Sequence, residues 1–242
     1  MDRTPHEISA DDLLFQLGTK LTPQIVDVCL PEDIATDQWR VPTARHVPHQ
    51  DIADFAQHLD AQRPVVAVCQ KGLKLSQGTA ALLRCLGFQA QALQGGNRAW
   101  FEADHPRLAL GNAPPPGTVW VLSTQGNLRA MLAAWVIKRW YDPLASVIWV
   151  EEAYVTDVAA RFGFFPLPHD VPLSEAFRAL GLVHEPLSDW IHSVETAKAP
   201  VSALLKTLPH LQNTEESIAR AAEPLLDAAW MAARPTAAAE VA

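Results

Sequence analysis

Cysteine is scarce in this chain of 242 residues, which holds only Cys29, Cys69 and Cys85. No two of them form a Cys-x-x-Cys pair, so the sequence predicts neither a disulfide framework nor a zinc ribbon. The spacing His46-x-x-His49 lacks cysteine or carboxylate companions and has a proline inside it. We therefore predict no metal site.

Positive charge is also in short supply, since 19 Lys and Arg face 27 Asp and Glu, for a net charge of −8. This balance argues against a nucleic-acid partner, which needs a basic surface. The longest apolar run, residues 130–137, is too short to cross a bilayer, and residues 1–7 have no apolar core. We expect a cytoplasmic protein with no membrane partner, no signal peptide and no cofactor.

The most informative stretch is a short apolar run that ends in a cysteine. Val65–Val68 follow Pro64 and are typical of a buried strand, and Cys69 comes directly after them. A turn with one glycine and two lysines follows, and Ser76 is a candidate N-cap for a helix over 77–86. Backbone N–H groups, the helix dipole and the lysines would favour a thiolate and attract anions. The pattern predicts a nucleophilic Cys69 in an anion-binding loop.

Strand and helix patterns alternate through the first half of the chain. Strands are predicted over 24–29, 65–68 and 90–93, helices over 9–18, 51–59 and 77–86, and a loop at Pro31–Asp33. The prolines of 41–49 indicate an extended connector. This order predicts a three-layer α/β domain with a mainly parallel sheet.

Three consecutive prolines, Pro114–Pro116, mark a stiff linker in the middle of the chain. We predict a first domain over 1–111, a linker over 112–117, a second domain over 118–234 and a frayed tail over 235–242. The second domain is expected to be α+β and mainly helical, with strands over 118–123 and 146–150 and helices over 128–141, 151–162, 173–180, 186–197, 201–208 and 215–231.

Residues 7–105 resemble the rhodanese family of sulfurtransferases through four motifs in the family's order. Ile25-Val26-Asp27-Val28 resembles "(I/V)-D-V-R", with Cys29 at the Arg position, and Arg45-His46-Val47-Pro48 resembles "G-H-I-P". Residues 69–74 resemble the active-site loop "C-x-x-G-x-R", with Lys74 for Arg, and residues 95–100 match "G-G-x-x-A-W". Related phosphatases need a loop one residue longer, with Arg six positions after the cysteine. The loop length therefore favours sulfur over phosphate.

The resemblance implies that Cys69 attacks the outer sulfur of thiosulfate or a similar anionic donor and forms a persulfide. Cyanide, a small thiol or a protein acceptor would then remove that sulfur. The substrate-binding loop would consist of Gln70, Lys71, Gly72, Leu73 and Lys74. Its two lysines either attract the donor or are simply solvated.

Further residues have supporting roles under this resemblance. Asp27 and His46 would brace the loop region, together with the N-cap Ser76. Cys29 is either a core residue or a resolving thiol near Cys69, and Cys85 is expected in the core.

The second half resembles, more weakly, the C-terminal domain of chromate-resistance proteins. The match consists of Trp120-Val121, residues 135–143, Glu152 and Phe162-Gly163. The polar and Cys-Pro positions of that family are filled here by Ser123, Asn127, Arg129, Ala130, Ala133 and Ala134. We therefore expect a packing or interaction module in which Trp135, Trp140 and Trp149 belong to the core.

Two hypotheses of different classes follow. The first is a rhodanese-type sulfurtransferase that works through Cys69. The second is a non-enzymatic stress or sensing module for oxidants or oxyanions such as chromate, in which Cys69 is oxidised or binds the anion.

Overall fold

The computed structural model describes residues 6–124 and 127–234. These residues form two compact units. The first contains the described residues up to Leu17 together with 21–113, and the second contains 18–20 together with the described residues from Pro114 onward.

A five-stranded sheet forms the centre of the first unit. Its strands are β1 Glu7–Ile8, β2 Gln24–Asp27, β4 Arg45–His46, β5 Val65–Val68 and β6 Ala90–Leu93. They lie in the order β1-β6-β5-β2-β4, and each neighbouring pair is parallel. Every residue of the central strand β5 is buried, as expected for a strand covered on both faces. The predicted α/β class with a mainly parallel sheet is confirmed, as are the three predicted strands.

Two further short strands of this unit, β3 (Trp39–Arg40) and β7 (Arg107–Ala109), pair antiparallel. Its helices are α1 Ala10–Gln16, α2 Pro31–Asp37, α3 Ile52–Phe55, α4 Lys74–Cys85 and α5 Gly96–Glu102.

Helix α2 occupies residues predicted from sequence to be a loop, Pro31–Asp33, and that prediction is wrong. Pro31 occupies the first helical turn, where its missing N–H costs nothing. Glu32 and Asp33 also lie in that turn, where the helix dipole favours negative charge.

Helix α4 begins earlier than predicted. Its N-cap is Leu73, whose carbonyl accepts the Gln77 N–H at 3.0 Å. Ser76 therefore lies inside the first turn, and the prediction that it caps the helix is wrong. The buried face of α4 consists of Ser76, Thr79, Ala80 and Leu83.

Cys85 lies two residues beyond Leu83, on the opposite side of the helix, and is exposed. The prediction that it belongs to the core is therefore wrong, because the leucines around it do not all lie on the buried face.

The second unit has a three-stranded parallel sheet and many helices. Strand β8 (Val119–Ser123) lies between β9 (Ser146–Val150) and β10 (Phe165–Pro166). The remaining elements are α6 Asn127–Val136, continued as a π-helix over Ile137–Tyr141, α7 Val155–Phe162, α8 Leu173–Ala179, β11 Leu182–Val183, α9 Glu185–Glu195, α10 Val201–Leu205 and α11 Glu215–Ala233. The predicted tail 235–242 lies outside the described residues.

Buried tryptophans dominate the core of this unit. Trp135, Trp140 and Trp230 are buried, and the Trp140 and Trp230 rings meet edge to face at 5.7 Å. The core prediction is confirmed for Trp135 and Trp140, whereas Trp149 near the end of β9 is only half-buried. None of the helices described here has the length and apolarity needed to cross a bilayer.

Candidate active site

Cys69 lies at the carboxyl end of the central strand, where β5 passes into the loop before α4. The residue is only 5% exposed. Its carbonyl accepts the Asn97 N–H at 3.0 Å, and the carbonyl of Gln70 accepts the Arg98 N–H at 3.0 Å. The first turn of α5 therefore fixes the start of the loop through the backbone.

Two glycines allow this close approach. Gly72 and Gly96 both have positive φ, at 66° and 63°. A Cβ on Gly72 would lie 2.6 Å from the Gly95 nitrogen, and a Cβ on Gly96 would overlap the Cys69 carbonyl oxygen. Because these neighbours are backbone atoms, they cannot move aside as a side chain could. The glycine of the cysteine loop and a glycine of the closing motif therefore pack against each other.

The Cys69 thiol has a hydroxyl partner. Its S–H donates to Ser76 Oγ at 3.1 Å, and the Ser76 hydroxyl donates to the Leu73 carbonyl at 3.4 Å. This hydroxyl can turn towards the sulfur when the sulfur carries negative charge. The sequence predicts Ser76 as a helix cap, whereas its side chain contacts the Cys69 sulfur.

Cys29 lies in the same buried cluster as Cys69. Its backbone N–H donates to Asp27 Oδ1 at 2.9 Å, and its carbonyl bonds His46 Nε2 at 3.0 Å. Asp27 and His46 therefore hold the segment that carries Cys29. Their role as supports of the loop region stays a prediction.

The Cys29 sulfur accepts a hydrogen bond from Asn97 Nδ2 at 3.2 Å. Burial, and then the negative charge of Asp27, raise the pKa of the Cys29 thiol far above its ordinary value. A thiol held protonated is a poor nucleophile, which argues against a resolving role. Sequence reasoning missed Asn97, which occupies a variable position of the closing motif.

The remaining loop side chains face outward to different degrees. Lys71, Leu73 and Lys74 are exposed, and neither lysine forms an ion pair with another described residue. Gln70 is half-buried and donates from Nε2 to Asp37 Oδ2 at 3.2 Å. Because no described residue forms an ion pair with Lys71 or Lys74, both side chains can attract an anion.

An open pocket of about 500 Å³ lies beside this loop. It is lined by Asp37, Gln70, Lys71, Arg98, Phe101 and Glu102. Two of these residues belong to the loop and three to α5, so the pocket adjoins the segment that carries Cys69.

One of the polar residues of the second unit's sequence motif, Arg129, has a structural role. Arg129 pairs with Glu195 and also donates to the carbonyls of Pro168 and Val171, both at 2.8 Å. Glu195 accepts the Leu173 N–H at 2.9 Å. This partly buried ion pair therefore fixes the segment that follows β10.

Comparison with known proteins agrees with the motifs of the first unit. The family model "Rhodanese-like domain" matches residues 9–103. These residues therefore form a rhodanese-like domain, which implies sulfurtransferase-type or related activity. The resemblance of the second half to chromate-resistance proteins stays a prediction.

Several solved structures resemble this chain over 39–44% of its length. A rhodanese-related protein from Thermoplasma volcanium is 19% identical, covers 43% of this chain and 98% of its own, and has a TM-score of 0.38. A rhodanese-like domain protein from Staphylococcus aureus is 29% identical over 39% of this chain and 89% of its own, with a TM-score of 0.35. A protein from Bacillus halodurans is 23% identical over 44% and 78%, with a TM-score of 0.39.

Proposed function

We propose that this protein moves sulfane sulfur from thiosulfate or a related anionic donor to a thiophilic acceptor through a persulfide on Cys69. The observation that carries the proposal is the contact between Cys69 Sγ and Ser76 Oγ, 3.1 Å apart in a loop that backbone hydrogen bonds and two glycines fix in place. A fixed polar partner beside a nucleophile lowers the cost of placing charge on it.

The first half-reaction loads the enzyme. The Cys69 thiolate attacks the outer sulfur of thiosulfate, a new S–S bond forms, and the donor's S–S bond breaks with its electron pair leaving on sulfite. Lys71 and Lys74 would attract the donor's sulfonate end. The Ser76 hydroxyl would turn from the Leu73 carbonyl to the sulfur.

The second half-reaction unloads it. The acceptor, cyanide or a thiolate, attacks the outer sulfur of the persulfide, and the electron pair of the broken bond returns to Cys69. The products are thiocyanate or the acceptor's persulfide. Atoms and electrons balance without an external oxidant or reductant.

The test is the intact mass of the purified protein after incubation with thiosulfate. We expect wild type to gain the mass of one sulfur atom and Cys69→Ser to gain nothing. Cys85→Ser is the matched control, since it removes an exposed thiol outside the loop and should keep the gain. A wild type that gains no sulfur from thiosulfate or any other sulfane donor would overturn the proposal and favour the sensing hypothesis.

A further inference from the structure

We infer that the second unit pairs with a second copy of this chain through strand β9. The two β9 strands run antiparallel about a two-fold axis that passes between their Ile148 residues. The feature that carries this inference is an apolar, uncharged edge strand with outward backbone groups that no described residue uses. This assembly is independent of the proposed sulfur chemistry.

The backbone of β9 has one side without a partner. Strand β8 lies between β10 and β9, so β9 is an edge of this sheet. The Thr124 N–H donates to the Val150 carbonyl at 2.9 Å, so Val150 points its backbone groups towards β8. Because these groups alternate in direction along a strand, those of Val147 and Trp149 point outward. No hydrogen bond joins the outward groups to a described residue.

The other edges of the two parallel sheets are protected against pairing. Strands β1, β4 and β10 have two residues each, β4 carries Arg45, and β10 contains Pro166. Short length, charge and proline are features that prevent edge-to-edge association. Strand β9 has five residues and contains no charged residue, proline or glycine. Among the described edges of these two sheets, β9 is therefore the one suited to pair with another strand.

An antiparallel copy of β9 satisfies the outward groups by symmetry. With Ile148 opposite the partner's Ile148, Val147 lies opposite the partner's Trp149, and these two residues exchange both of their backbone hydrogen bonds. The backbone groups of Ile148 point to β8, as those of Val150 do. The two Ile148 residues therefore form a non-hydrogen-bonded pair, in which side chains approach each other most closely.

Charge and exposed apolar residues favour a second copy in this direction. Glu151 directly follows β9. Antiparallel pairing places the two Glu151 residues at opposite ends of the strand pair, whereas parallel pairing would set these like charges side by side. Leu144, which is 67% exposed, precedes β9, and Tyr154, which is 56% exposed, follows it. Leu144 of one copy then lies at the same end as Tyr154 of the other, where their contact would remove apolar surface from water.

The first test is the mass of the purified protein in solution, measured by sedimentation equilibrium at increasing concentration. We expect a reversible rise from one chain to two. Val147→Pro removes an outward N–H that β8 does not use, and it should raise the Kd of the dimer about tenfold or more. Val147→Ala is the matched control, since it keeps this N–H and should keep the dimer.

The second test examines the register by cross-linking in a Cys85→Ser background, which lacks the exposed thiol. On oxidation, Ile148→Cys should form an intermolecular disulfide. A non-hydrogen-bonded pair holds its Cα atoms about 4.5 Å apart, which a disulfide can bridge. Val150→Cys is the matched control, since its two copies would lie about 13 Å apart along the strands and should not cross-link. A non-reducing gel measures both.

A wild type that stays monomeric up to about 1 mM would overturn the inference, even if an unrelated protein pairs with β9. Equal Kd values for wild type and Val147→Pro, or equal cross-linking by Ile148→Cys and Val150→Cys, would also overturn it. If circular dichroism shows that Val147→Pro does not fold, the two cysteine variants decide the outcome.

Discussion

Two buried thiols of the first unit differ in the polar atom that each contacts. Cys69 donates to a hydroxyl that can reverse its role, whereas Cys29 accepts from the amide of Asn97 next to the carboxylate of Asp27. Burial, and then the Asp27 carboxylate, raise the pKa of the Cys29 thiol, whereas the Ser76 hydroxyl lies where it can donate to a charged Cys69 sulfur.

Ser76→Ala should slow sulfur loading of Cys69 by about tenfold or more, because a hydrogen bond to a charged group contributes about 1.5–3 kcal/mol. The rate of the mass gain with thiosulfate measures this effect. Thr79→Ala is the matched control, since it removes another buried hydroxyl from the same face of α4. Equal slowing in both variants would mean that repacking of α4, and not the hydroxyl beside the sulfur, is responsible.

Cys29 predicts a dependence of stability on alkaline pH. Its pKa in the folded protein is raised, whereas the unfolded chain releases the same proton near pH 8.5. Above that pH the unfolded state binds fewer protons, so the free energy of unfolding should fall by up to about 1.4 kcal/mol per pH unit.

Urea denaturation between pH 7 and 10 under reducing conditions measures this slope. Cys29→Ala should remove this part of the slope, and the exposed-site control Cys85→Ala should keep it. An unchanged slope in Cys29→Ala would contradict the assignment.

At the scale of elements, the loop after β5 and the first turn of α5 are fixed to each other through their backbones. Their contact combines two backbone hydrogen bonds with the packing of Gly72 against Gly96. The Gly-Gly of the closing motif is therefore required by the cysteine loop, which precedes it in the chain by more than twenty residues.

Gly96→Ala should destabilise the protein and abolish sulfur loading, because its Cβ would overlap the Cys69 carbonyl oxygen. The positive φ alone costs about 1–3 kcal/mol, and the overlap adds to it. Urea denaturation and the mass gain measure the two effects.

Gly87→Ala is the matched control, since Gly87 also has positive φ, at 94°, but a Cβ there would meet no described atom within 4 Å. It should show the conformational cost and keep sulfur loading. Loading that survives in Gly96→Ala would contradict the role given to this contact.

At the scale of the whole molecule, local sequence patterns predicted the secondary-structure elements, but they did not predict which side chains contact each other. The run Val65–Val68 predicted a buried central strand because β-branched residues favour that environment, and the motif spacing predicted the rhodanese-like domain. The partners of the sulfurs, Ser76 and Asn97, depend on how α4 and α5 pack, which no short-range pattern encodes. For the same reason the exposure of Cys85 was mispredicted.

The packing of Gly72 against Gly96 also limits how the gene for this domain can recombine with a related gene. The segment from Cys69 to Arg98 contains both partners of the two backbone hydrogen bonds and of the glycine contact that fix the loop to α5. A genetic crossover between the codons for these two glycines would therefore join a loop from one parent to a helix from another. Exchange of the whole segment keeps the pairing, so gene shuffling should transmit it as a single block.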